Sequence, residues 1–209
     1  MRIAFAALGL FLVSLQAGAS TIYTDFGSGH SFNGSSGSGI TSSVGAAAEF
    51  TALLTASLTS IDIAAKVILG TPTFTVKIAH DNSNSPGAVI ESMTINSIPS
   101  SASVVTATSS LDPILTSGTK YWIEVVAGGS TEGTWYVNNQ SVLGNRSTSS
   151  NGGSTWGGAS LSVQQAFDVN GTLTAPEPSS AVLMLLPLGI LMAYQGRKAA
   201  KSGRVHRAE

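Results

Sequence analysis

The hydrophobic pattern of this 209-residue chain changes three times. Residues 3–15 are dominated by apolar side chains, the stretch from about Phe50 to Leu173 alternates in short runs separated by turn formers, and residues 181–194 are again almost wholly apolar. Four of the middle runs alternate strictly enough to predict strands: LTSIDIAAKVI, TPTFTVKIAH, KYWIEVVAG and QQAFDVNGTL. In the second, Phe74, Val76 and Ile78 share one face while Thr75 and Lys77 share the other, the period of two that a half-buried strand requires. AVIESMTI, SVVTATSSL and TWYVNN predict three more strands. DNSNSPG predicts a turn at Pro86-Gly87, where a preset φ meets a residue free of the Cβ penalty. No helical period of ten residues interrupts these runs. The middle of the chain is therefore expected to be all-β, an antiparallel β-sandwich of about seven to nine strands with jelly-roll-like or Ig-like topology. The Gly/Ser-rich stretch TDFGSGHSFNGSSGSGITSSVGAAAEF costs much entropy to order and is expected to be partly loop, pinned to the core by Tyr23, Phe26 and Phe32.

The two outer apolar runs have different flanks. Arg2 precedes the first, and Gln16 and the small residues Ala17-Gly18-Ala19 follow it, the order of a secretory signal helix cleaved before Ser20. Pro176-Glu177-Pro178 precedes the second and cannot continue a strand, because each proline lacks an N–H and biases the residue before it. The 14 residues 181–194 would rise only about 21 Å as a helix against a bilayer core of about 30 Å. Flanking residues bring the helix to roughly 18, a marginal span with Arg197 and Lys198 snorkelling. Arg197, Lys198, Lys201, Arg204 and Arg207 form a basic end that the positive-inside rule keeps cytoplasmic. The expected organisation is a signal peptide (1–19), a Gly/Ser-rich segment (20–43), a β-domain (44–173) and a sorting or anchor segment (174–209).

Composition narrows the chemistry. The chain has no cysteine, so neither a disulfide nor a thiolate metal site can form. Between Ser20 and Ala175 four bases face nine acids, a balance of −5 that disfavours nucleic acid as a partner. His30 and His80 stand alone, and neither HExxH nor GxSxG occurs, so no catalytic residue, metal or cofactor is expected. Asp81-Asn82-Ser83-Asn84-Ser85 imitates a calcium loop, but its glycine comes one place late and Ser92 stands where the bidentate Glu belongs. Trp135, Tyr136 and Trp156 lie in Gly/Ser/Asn-rich surroundings where a sugar ring could stack on an exposed aromatic face.

Two resemblances follow from these residues. Phe50 after AAAE, FTVKIAHDNSNSPGAVIES, LTSGTKYWIEV and GGSTWGG leading into QQAFDVNGT make residues 44–173 similar to the choice-of-anchor R domain. That family consists of bacterial surface β-domains joined to different anchoring tails, and it implies no reaction or ligand. Pro-Glu-Pro, the apolar segment and the basic end resemble the PEP-CTERM sorting signal, with Pro187 inside the apolar stretch and a dilute basic segment as departures. The resemblance implies signal peptidase and a membrane exosortase as partners. The chain would be held transiently in the inner membrane, then delivered to the outer surface or an exopolysaccharide matrix. The expected function is that of an exported, structural and non-enzymatic surface protein. The alternatives are a glycan-binding module and, third, an exported hydrolase.

Overall fold

The computed structural model describes residues 18–173, and the predicted signal and C-terminal hydrophobic helices fall outside them. The described residues form 13 strands in two antiparallel sheets, with no helix among them. One sheet contains β1 (Ala19–Thr24), β2 (Asn33–Ile40), β4 (Ala56–Leu69), β7 (Ser103–Thr108), β8 (Ile114–Leu115), β10 (Glu132–Val137) and β13 (Phe167–Leu173). The other contains β3 (Gly45–Thr51), β5 (Phe74–Asp81), β6 (Pro86–Ile95), β9 (Lys120–Ala127), β11 (Leu143–Ser149) and β12 (Ser160–Val163), ordered β12-β11-β3-β9-β5-β6.

The 14-residue β4 organises the first sheet. Ile61 pairs with Val169 of β13 and Ala107 of β7, while Ala65 pairs with Trp135 of β10 and Ser103 of β7. β13 and β10 thus lie end to end along one side of β4, with β1 flanking β13 and β2 flanking β10. Inward side chains of both sheets, among them Ile22, Phe50, Leu58, Ile61, Phe74, Ile123, Trp135 and Phe167, form one hydrophobic cluster. Each large aliphatic or aromatic side chain so buried is worth about 1.5–3 kcal/mol before entropy is charged. The described core lies wholly inside one compact unit, Gln16–Thr174.

All seven predicted strands are present, and their alternation sorts as expected: Phe74, Val76 and Ile78 are fully buried while Thr75 and Lys77 are half-buried. Residues 20–43 are partly loop as expected, and they also supply β1 and β2 to the first sheet. Two expectations need correction. Strands outnumber the seven to nine expected. The turn between β5 and β6 sits at Ser83-Asn84, both in the left-handed region (φ 55° and 61°), the geometry of a two-residue type I′ hairpin. Pro86 already belongs to β6 and pairs with Asp81. Gly87 is needed there for space: a Cβ would lie 2.9 Å from the Asn82 Cβ and 3.0 Å from the His80 carbonyl oxygen.

Both sheets also carry small apolar clusters on their outer faces. On the first, Phe26, Ala64, Tyr136 and Ala166 are buried with Phe32 and Val104 packed against them. On the second, Trp122 lies with Ala47 and Ala79, covered by Trp156 and Ala159. Loops 25–32 and 150–159 thus act as lids over otherwise exposed sheet faces.

Candidate functional site

The three aromatic residues expected to offer stacking faces are placed very differently. Trp135 is fully buried in the central core, its Nε1–H donating to the Ala166 carbonyl at 3.1 Å. Tyr136, on the opposite face of β10, is 4% exposed beneath Phe32, with the Lys66 Nζ 6.0 Å from its ring centroid. Neither can receive a sugar. Their polar sequence neighbours misled because Gly133 is there to make room: a Cβ on it would meet the Lys66 carbonyl and come within 2.5 Å of the Phe74 ring. Trp156 is only half-buried, and it alone of the chain's three tryptophans reaches solvent, since Trp122 is also fully buried.

Loop 150–159 holds Trp156 in place through a dense set of hydrogen bonds. Asn151 Oδ1 accepts from the Ser149 hydroxyl and the Thr155 N–H, and its Nδ2 donates to Thr155 Oγ1. Gly153 N–H donates to Ser149 Oγ, and Gly152 N–H to the Ser43 carbonyl. Beyond the tryptophan, Gly157 N–H reaches the Thr148 carbonyl at 2.9 Å and the Ser147 hydroxyl returns to the Gly157 carbonyl at 2.7 Å. Gly45 and Gly153 leave room for the indole: their Cβ positions would fall 3.2 and 3.6 Å from its ring carbons, and Gly153 has a φ of +84°. The inner edge of Trp156 meets Glu124, which is 1% exposed and 3.7 Å from Lys77 Nζ. Burial pushes this carboxyl up, with Lys77 and the Trp156 side chain pulling it back. The outer side opens onto a groove of about 580 Å³ bounded by Val44, Ser150, Thr155 and Gly157.

A second polar cluster lies where β13 meets β10. The junction frees the Phe167 N–H, which donates to Asp25 Oδ1 at 2.8 Å. Asp25 is 2% exposed, and burial pushes its carboxyl up to about 8, the Phe167 bond pulling down and the neighbouring Asp168 adding to the rise. Asp168 is also raised, chiefly by burial, with Thr24 and His30 opposing and Asp62 assisting. Its Oδ2 lies 3.2 Å from His30 Nε2, and His30 has a left-handed φ of 57° and stacks on Phe26. Asp25 Oδ2 and Asp168 Oδ1 are buried without a partner among the described residues. A histidine beside a buried carboxylate is two-thirds of a hydrolytic triad, but the adjacent Ser31 hydroxyl accepts from Asn139 rather than engaging the imidazole. His80 is exposed and packs near Tyr121.

The remaining polar groups serve architecture. Glu91 accepts from the Ser109 hydroxyl (2.6 Å), the Ser110 N–H (2.7 Å) and hydroxyl, and the Leu111 N–H, which latches the turn after β7 onto β6. In the calcium-like loop, Asp81 Oδ1 accepts from the Trp122 indole Nε1–H and Asn84 Oδ1 accepts from Lys120. Lys120 also pairs with Glu49 at 2.6 Å, beside a cleft of about 410 Å³ that Tyr23 and Phe50 floor and Leu53, Leu143 and Leu161 rim. No group of three His, Asp or Glu side chains suited to a metal occurs among the described residues. Of the sorting residues, Ala19 and Ser20 open β1, whereas Ala17, Pro176, Glu177, Pro178 and the basic end lie outside the described residues. Comparison with family models and with curated proteins finds no match to this chain.

Proposed function

We propose that this chain is an exported surface or extracellular-matrix protein, structural and non-enzymatic, in which the two sheets are the faces of a β-sandwich of jelly-roll-like or Ig-like topology. Signal peptidase removes residues 1–19, and the Pro176-Glu177-Pro178 segment hands the tail to an exosortase in the inner membrane. The observation that carries this reading is the pairing of Ala19 with Thr172 and of Ser20 with Gly171. Cleavage after Ala19 forfeits a single rung of the β1–β13 ladder and leaves the rest in register. The folded unit thus accommodates a cut at one end while the chain runs on into the tail from the adjacent strand.

The test is intact-mass measurement on fractionated source cells. Wild-type protein is expected to begin at Ser20 and to leave the inner membrane without its tail. Changing Pro176 and Pro178 to Ala is expected to preserve export and accumulate tail-bearing protein in the inner membrane. A double variant processed and delivered like wild type refutes the sorting assignment in favour of a plain membrane anchor. The glycan-binding reading stands second, supported by the half-open Trp156 groove.

A further inference from the structure

We infer that the Trp156 groove is a binding site for a neutral pyranose unit of a polysaccharide, which stacks on the outward part of the indole. The inference rests on the glycan-binding reading and is independent of how the chain is sorted. Trp122 and Trp156 belong to the same outer-face cluster, yet Trp122 is fully buried and Trp156 is not. A lid needed only to cover Trp122 gains nothing by leaving a second indole partly in water, where it forfeits part of its burial energy.

The surroundings of the ring set the ligand class. Asn151 and Ser149 fix the loop before any ligand arrives, so little ordering entropy is left to be lost on binding. Thr155 Oγ1 already accepts from Asn151 Nδ2, which leaves its O–H as a donor, and Ser150 is exposed at the rim. The charges nearest the ring, Lys77 and Glu124, face each other on its inner side. An apolar ring face beside neutral donors and acceptors suits the C–H face and hydroxyls of an uncharged sugar, and it offers an anionic or cationic polymer no counter-charge.

Acrylamide quenching reads this site selectively, because the other two indoles are buried and supply only background emission. The full chain in mild detergent is titrated with neutral hexaoses of β-glucan, mannan, galactan and N-acetylglucosamine, following emission wavelength and acrylamide quenching. At least one hexaose is expected to shift the emission to the blue and protect against quenching, saturating in the millimolar range. Trp156→Phe is expected to weaken that binding and Trp156→Ala to weaken it at least tenfold, both with cooperative melting. Three results overturn the proposal: no hexaose protects a Trp156 that acrylamide does quench, binding survives Trp156→Ala, or protection comes solely from uronic-acid oligomers or proline-rich peptides. The wild-type quenching arm needs no variant to fold. Failure here leaves the sorting result untouched, since that is read from mass and membrane fraction.

Discussion

Replacing Asp25 by Asn should leave stability nearly unchanged at acid pH and raise it at alkaline pH. In the folded domain the Asp25 carboxyl is pushed up to about 8, against about 4 in an unfolded chain. The folded state therefore holds a proton that the unfolded state has released throughout that window, and stability must fall as pH rises through it. One such proton changes stability by about 1.4 kcal/mol per pH unit at most. Asp168 and Glu124, also raised, act in the same direction, whereas Glu91 is lowered and acts oppositely at more acid pH. The difference between wild type and Asp25→Asn cancels the Glu124 and Glu91 contributions and leaves that of Asp25 with its coupling to Asp168. Asn keeps an oxygen for the Phe167 N–H and stays neutral at every pH. The comparison is made by urea unfolding of residues 20–173 at pH 5 and pH 8.5. The variant should match wild type within about 1 kcal/mol at the lower pH and exceed it by about 2 kcal/mol or more at the higher. A difference that stays constant with pH, or a variant weaker than wild type at pH 8.5, refutes the assignment of Asp25 as a buried neutral acid.

Three further outcomes are expected. Trp135→Ala should cost about 3–5 kcal/mol and lower the melting temperature markedly, because it empties the core and removes one of the two hydrogen bonds to the Ala166 carbonyl. Trp156→Ala should cost much less; equal losses in calorimetry would contradict their unequal burial. Glu91→Ala should cost about 2–3 kcal/mol at neutral pH by releasing the turn at 109–111, and the loss should shrink on acidification as the wild-type carboxylate protonates, which a pH series of denaturant midpoints checks. Gly133→Ala should destabilise by about 1–3 kcal/mol through collision with the Lys66 carbonyl and the Phe74 ring, and an unchanged melting temperature would show that the ring can step aside.

Sequence legibility followed the one-sidedness of each strand. β4, β5, β9 and β13 could be read because apolar side chains mark one face against a polar other face, or because β-branched residues dominate. β3 was not read as a strand: its burial is continuous from Gly45 to Phe50, since loop 150–159 covers its outer face, and alanines fill both sides. β2, NGSSGSGI, has almost no side chains to pattern; β10 holds it through backbone pairing, from Gly133 with Ile40 to Tyr136 with Gly37. The aromatic residues were the reverse case. Trp135 sits among Gly, Thr and Asn, a composition that suggests surface, but the partner strands that bury it come from residues 33–40 and 56–69. Likewise nothing near Asp25 reveals that a carboxylate must meet the Phe167 N–H, because that need arises where β13 stops and β10 begins.

The position of β13 between two antiparallel neighbours has a mechanical consequence. Any tension transmitted by the tail enters at Leu173, and within two residues it meets both ladders: Thr172 pairs with Ala19 and Ser57, and Gly171 with Ser20 and Leu58. Ladder hydrogen bonds run perpendicular to the strands, so a pull along β13 strains many of them sideways at once instead of peeling them off singly. Strand β1, the edge strand beside β13, lies off the line of pull and serves as a clamp. Had the tail continued from that edge strand, the same tug would have met a single ladder, and the attachment point would have been the first place to unzip.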